Sequence, residues 1–363
     1  MNKTLSSLVA VAMGASLAIA TIGSASACTR AFLNTYPGYM VSARNLDFFG
    51  PVDPSLVITP RGIEHTGSDG PGAKEWKTRY GSVVIYADGV FPMDGMNEKG
   101  LAGHTQYYTN GKQVQADNNK DKPELDSRAW LSYLLDNFAT VDEAVKGLED
   151  VRLVAKKLPI DYASDTKHIA LEDVTGDSAI IEIDNGKVNI YHNRDYRVMT
   201  NPPSYDRQLA NLKKYQGVDE NHIPGTQSAE DRFVRTSIGV KNIPQPDNKA
   251  QAQGFILSVV NNAAFPINYP DASDPMVKSI TDAYAKYSKF PQENKGTSTY
   301  WTTIADLSHG EYHFKSVFAP SEVMVKLGEI NFSAGQPVKR IDHLQNYAQK
   351  GWQGDVLKYA KSS

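Results

Sequence analysis

The sequence predicts an α+β protein built in layers. Three observations lead there: strand signals come in antiparallel blocks joined by tight turns, capped helices fall between those blocks, and no βαβ alternation suggests a parallel sheet. The chain has 363 residues and a net charge of −3 with histidine neutral. A balance that mild marks neither a nucleic-acid surface nor an anionic-membrane surface. No internal repeat, low-complexity tract or linker interrupts the chain, so a single domain over residues 28–363 is expected.

Taken in order, residues 1–27 read as a secretory signal. Lys3 supplies positive charge, Leu8 to Ile22 is apolar, and Ala25 and Ala27 are the small residues before a cut. That run is too short and too rich in Ala, Gly and Ser to be a good membrane span, and no later stretch reaches the length of one. Thr29 to Leu33 and Tyr39 to Ala43 are β-prone runs around the turn Tyr36-Pro37-Gly38, so the chain after the cut opens on a hairpin. Ser55 to Thr59 and Ser82 to Ala87 are further strands, and the polar stretch Thr109 to Lys122 reads as an exposed loop. Arg128 to Phe138 carries Trp130, Leu131, Tyr133, Leu134 and Leu135 at helical spacing, and Thr140-Val141-Asp142-Glu143 is a capping box for a helix through Leu148. His168 to Val174, Ser178 to Ile183 and Val188 to His192 are strands joined by Thr175-Gly176-Asp177 and by Asn185-Gly186, the latter suited to a type I′ turn. Ser228 to Gly239 starts from a Ser-x-x-Asp cap, and Phe255 to Ala263 is another helix. Ser298 to Asp306, Tyr312 to Phe318 and Val323 to Lys326 return to strand.

The chain has one cysteine, Cys28, placed directly after the expected cut. Cleavage there would put a thiol and a free amine on the same residue. Two other readings stay open: the lipid-anchored first residue of a bacterial lipoprotein, which usually has Leu where this chain has Ala25, and a leftover buried thiol. A lone cysteine excludes an intramolecular disulfide. No metal is expected, because the eight histidines are scattered without a His-Glu-x-x-His, and His309 and His313 fall in a strand-like region. No Gly-rich phosphate loop follows a strand and no Gly-x-Ser-x-Gly elbow occurs, and a papain-type Cys-His pair lacks its helix-start motif.

An N-terminal thiol carries its own base, since an α-amine titrates near 8 and is partly neutral around neutral pH. Such a site also needs a carboxylate to orient the amine, cations to favour thiolate and donors for an oxyanion. The hairpin returns Arg44 and Asp47 beside Cys28. Taken alone, that pair reads more readily as an ordinary surface ion pair.

Cys28-Thr29-Arg30, followed at a set offset by Arg44-Asn45-Leu46-Asp47, resembles the choloylglycine hydrolases, N-terminal-nucleophile enzymes that include bile salt hydrolases and penicillin V acylases. The likeness continues through Met96-Asn97-Glu98-Lys99-Gly100-Leu101, Thr200-Asn201-Pro202-Pro203-Ser204-Tyr205-Asp206, Asn211-Leu212, Tyr215, Ser228, Asp231-Arg232-Phe233-Val234-Arg235 and the strands from Thr297 and Tyr312. It implies a four-layer αββα sandwich of two antiparallel sheets and an amidase without metal or organic cofactor, acting on a small N-acyl amide. The roles it implies are Cys28 as nucleophile, Asp47 holding amine and thiol in register, and Arg44 and Arg232 flanking the sulfur. Asn201 and the backbone N–H of Tyr107 are the implied oxyanion donors, and Arg235 is given a packing or ion-pair role. Tyr107, ten residues beyond Asn97, stands where bile salt hydrolases have Asn and penicillin V acylases have Tyr, and so favours the acylase side. Phe48, Phe49 and Tyr108 are the candidate pocket walls. Gly103-His104-Thr105-Gln106 is more polar than the family leads one to expect before that tyrosine. By analogy with relatives the enzyme is a homo-oligomer, a tetramer, and the leader sends it to the periplasm or medium.

Overall fold

The computed structural model describes residues 28–48, 52–108, 121–154, 167–184, 186–269 and 296–363. The leader, Phe49, most of the Thr109–Lys122 stretch and Asn185 therefore lie outside the described residues.

The opening hairpin forms as the turn signal predicts. Strand β1 (Thr29–Leu33) pairs antiparallel with β2 (Val41–Phe48), Thr29 facing Asn45 and Arg30 facing Arg44. These strands belong to a seven-stranded sheet, flanked by Val198–Met199 on one side and by Ser298–Asp306, Glu311–Ser316, Val323–Lys326 and Gly354–Asp355 on the other. A nine-stranded antiparallel sheet faces it. Its order is Lys187–His192, Ser178–Asp184, Lys167–Glu172, Ala102–Tyr107, Phe91–Asn97, Ser82–Ala87, Pro54–Thr59, Lys339–Ile341 and Lys361–Ser362.

Strand period decides what packs where, because successive side chains point to opposite faces. Phe32 and Leu46 pack between the sheets with Leu56, Ile58, Val83 and Ile85. Their neighbours Ala31, Leu33, Val41 and Ala43 face the opposite way, onto Phe233, Val240, Ile256 and Val260 of α4 (Ala229–Lys241) and α5 (Lys249–Asn261). On the far side of the nine-stranded sheet, Val84, Ile169, Leu171 and Ile181 pack against α1 (Trp130–Asn137) and α2 (Val141–Gly147). The result is helices, sheet, sheet, helices, the predicted four layers. Each fully buried aliphatic or aromatic side chain in these contacts contributes about 1.5–3 kcal/mol.

The caps also work as read. Thr140 accepts the Glu143 N–H at the start of α2, and Ser228 accepts the Asp231 N–H at the start of α4. Gly176 takes φ +85° in the Thr175–Asp177 turn, a left-handed conformation that glycine adopts without penalty.

Three elements differ from expectation. Helix α5 starts at Lys249 rather than Phe255, capped by Asn248, because its first turns are polar and lack apolar periodicity. Helix α3 (Tyr205–Lys213) was not signalled, since only Tyr205 and Gln208 of it are buried. The hairpin Phe91–Asn97 and Ala102–Tyr107 was hidden because Asp94, His104 and Thr105 are fully buried yet polar; Asp94 and His104 meet partners distant in sequence, and Thr105 bonds the Pro92 carbonyl across the hairpin.

Candidate active site

Among the largest fully buried side chains are Arg30, Arg44 and Arg232. Burying a guanidinium is costly unless its donors are paired, so their partners define where the chain concentrates polar chemistry. Two of the three meet at Cys28.

Cys28 lies just ahead of β1, and the hairpin register sets it beside the end of β2. Its Sγ is 3.5 Å from Arg44 Nη2 and 3.9 Å from the Asp47 carbonyl oxygen. The Cys28 nitrogen, an amide here because residue 27 precedes it, donates to Asn201 Oδ1 at 2.5 Å. Asn201 Nδ2 donates to the Tyr107 carbonyl at 2.9 Å, which places Tyr107, not Tyr108, against Asn201. Arg232, from the first turn of α4, donates through Nη1 to the Cys28 carbonyl and to Thr29 Oγ1, both at 2.7 Å, and through Nη2 to Asn201 Oδ1 at 3.2 Å. Arg44 thus touches the sulfur directly, whereas Arg232 grips the backbone and the asparagine.

Asp47 Oδ1 accepts from the Thr299 hydroxyl, while its buried Oδ2 has no hydrogen-bond partner among the described residues. Burial pushes the Asp47 carboxyl up to about 7, against the pull of Arg232, the Thr299 donation and Arg44. Burial likewise raises the Cys28 thiol, opposed first by Arg44. Burial brings Arg232 down to about 10, with Asp47 and Cys28 working the other way. The arrangement can accommodate a thiolate and a second charge at the Cys28 nitrogen, since cations and an unsatisfied carboxylate oxygen surround it.

The remaining sequence candidates are more peripheral. Phe48 ends β2 half-buried against the inter-sheet core. Tyr108 is buried with its ring stacked on His168, centroids 5.0 Å apart. Arg235 holds the Thr226 carbonyl, the Gln227 side chain and the Asn262 carbonyl, the packing role expected of it. Asn97 ties the Glu98–Gly100 turn to the end of α1, donating to the carbonyls of Leu135 and Phe138 at 2.8 Å each. Sequence reasoning missed Thr299, and it missed Asp94, which pairs with Arg44 at 3.2 Å. Thr299 carried no signal beyond strand propensity. The unexpected polarity of residues 103–106 is explained by His104, which bridges Ser42 Oγ at 3.2 Å and Glu172 Oε1 at 2.7 Å. Burial alone would raise Glu172, but Arg30 and His104 outweigh it and take it down to about 2. Among the described residues no three His, Cys, Asp or Glu side chains converge on a metal position, and no helix is long and apolar enough to cross a membrane.

Two facing sheets between helical layers, with a buried cysteine just ahead of a strand of one of them, are the architecture of N-terminal-nucleophile hydrolases. Residues 28–339 match the profile of the linear amide C–N hydrolases, choloylglycine hydrolase family, and the chain belongs to that family. It is 35% identical over 349 residues to a penicillin V acylase of Pectobacterium atrosepticum, covering 90% of this chain and 86% of the relative. A bile salt hydrolase/transferase of Clostridium perfringens is 25% identical, covering 80% of this chain and 89% of that protein. The structure of a penicillin V acylase from Agrobacterium tumefaciens superposes with a TM-score of 0.76 at 31% identity, covering 93% of this chain and 98% of that one. The chain is accordingly an enzyme that hydrolyses linear amides.

Proposed function

We propose that this protein is exported, cut before Cys28, and releases the acyl group of N-acyl amides through the Cys28 thiol in the manner of a penicillin V acylase. The observation that carries the reading is the convergence of Arg44, Asp47, Asn201 and Arg232 on the chain's one cysteine, the residue at which the family match begins. In the first step the freed α-amine takes the thiol proton and Sγ attacks the amide carbon, whose oxygen becomes an oxyanion. Asn201 Nδ2 and the Tyr107 N–H stabilise that charge, and Arg44 stabilises the thiolate that precedes it. The C–N bond then breaks, the ammonium returns its proton to the leaving amine, and an acyl thioester remains. Water, deprotonated by the same amine, hydrolyses the thioester and restores the thiol. Asp47 Oδ2 is the partner that would orient the amine.

Tyr at position 107 favours acylase over bile salt hydrolase chemistry, and N-acyl homoserine lactones present the same acyl-amide to a periplasmic or secreted enzyme. A homotetramer follows from analogy with relatives. The test is a panel of penicillin V, penicillin G, acyl homoserine lactones and glycocholate on purified mature protein, together with Cys28→Ser. Penicillin V or an acyl homoserine lactone should be cleaved ahead of glycocholate, and Cys28→Ser should fold yet lose nearly all turnover. Wild-type activity in Cys28→Ser would sink the nucleophile. A diacylglyceryl adduct on Cys28, read by mass spectrometry of the mature terminus, would mean a lipid-anchored chain and would eliminate Cys28 as the nucleophile.

A further inference from the structure

Arg30 and Arg44 sit directly opposite one another on β1 and β2, and both side chains are fully buried. Like charges in that relation repel, so each needs its own counter-charge. Each finds one on the facing sheet: Arg30 Nη2 lies 2.5 Å from Glu172 Oε2, and Arg44 Nη1 lies 3.2 Å from Asp94 Oδ2. The two pairs are not equivalent. Glu172 shares its other oxygen with His104, away from the sulfur. Asp94 holds one end of the guanidinium whose other end, Nη2, touches Cys28 Sγ at 3.5 Å and donates to the Thr105 carbonyl at 3.0 Å. The second oxygen of Asp94 accepts from the hydroxyl of Tyr312, on the Glu311–Ser316 strand. Four strands drawn from both sheets therefore converge on one guanidinium.

We infer that Asp94 and Tyr312 are positioning residues for the reaction, holding Arg44 so that one amino group stays on the Cys28 sulfur. The inference rests on the reading of Cys28 as the nucleophile. Its physical core is the number of oxygens Asp94 has to offer. A carboxylate and a guanidinium prefer a two-point pair, and Arg44 Nε has no hydrogen-bond partner among the described residues. By occupying Asp94 Oδ1, Tyr312 limits the carboxylate to a single contact with Nη1. Without that hydroxyl, Asp94 Oδ1 is free to accept from Nη2 while Oδ2 keeps Nη1, an end-on two-point pair that draws Nη2 off the sulfur. Burial and the Asp94 charge keep the Tyr312 hydroxyl protonated, so it remains a donor across the working range. The charged groups acting on Sγ itself are Arg44 and Asp47 from β2 and Arg232 from α4.

The test uses mature Tyr312→Phe, Asp94→Asn and the double variant, read by kcat and KM on penicillin V and by the pH dependence of Cys28 alkylation with iodoacetamide. Each single variant should lower kcat about tenfold or more with KM within about twofold. Each should also move the alkylation midpoint upward, because a displaced cation no longer favours thiolate. The double variant should be no worse than the more damaged single one, since the pair acts as a unit. A folded Tyr312→Phe with wild-type midpoint and kcat overturns the inference, and so does a lowered melting temperature with an unmoved midpoint. If Asp94→Asn does not fold, Tyr312→Phe decides alone. Failure of the nucleophile reading shows up separately, as complete alkylation of Cys28 without loss of activity.

Discussion

Replacing Thr299 by Val removes one hydroxyl and little volume, and its effect on the acid side of the pH–rate profile follows from the contacts. Thr299 Oγ1 donates to Asp47 Oδ1 and accepts the Phe265 N–H at 2.8 Å. Asp47 is already pushed up to about 7 by burial, and the Thr299 donation is among the influences that hold it down. Taking away a donor that favours the charged carboxylate raises its pKa further. A hydrogen bond to a charged group is worth about 1.5–3 kcal/mol, which at 1.36 kcal/mol per pH unit moves the titration upward by about one to two pH units. If ionised Asp47 orients the amine, the acid limb of kcat/KM moves up by that amount. Activity on the limb then falls by about tenfold to a hundredfold and recovers as the pH is raised past it. The lost partner of the Phe265 N–H costs a further ~1–3 kcal/mol of stability that does not depend on pH, measurable by urea unfolding. The assay is kcat/KM for penicillin V across the pH range on both proteins. An acid limb that stays where the wild type has it, with stability reduced, would refute the link between Thr299, Asp47 and catalysis.

Asn201→Ala removes the acceptor of the Cys28 nitrogen and the donor to Tyr107, and should lower kcat on penicillin V by about 10²–10³, whereas Tyr107→Ala keeps its backbone N–H and should cost about tenfold or less. Equal losses in the two variants would remove the backbone role from Tyr107. Asp136 tests stability rather than activity. Burial lifts its carboxyl from 3.8 to about 7, against donation from Trp76 Nε1 at 2.8 Å. The folded chain therefore binds that proton more tightly than the unfolded one, so the contribution is complete below about pH 4 and is lost as pH rises through about 7, by at most ~4 kcal/mol. Asp136→Asn should flatten that decline in urea midpoints, and an unchanged slope would contradict it.

The sequence by itself determined the local and the consecutive. The β1–β2 hairpin, the Thr140 and Ser228 caps, the glycine turn at 176 and the strands Ser82–Ala87, Ser298–Asp306 and Val323–Lys326 all follow from signals within a few residues. The order and spacing of motifs from Cys28 to Arg235 likewise suffices for the family, because a family's site residues keep their places along the chain. What tertiary structure alone decided is which polar groups meet. Thr299 finds Asp47 from 252 residues away, Tyr312 finds Asp94 from 218, and Arg44 finds Asp94 from 50. Period and propensity describe which face a residue takes, and they are blind to what the opposite sheet presents there. A buried Asp or His therefore looks like a mistake in a strand until its partner arrives, which is why the Phe91–Tyr107 hairpin and the support beneath Arg44 became visible only when the two sheets were packed together.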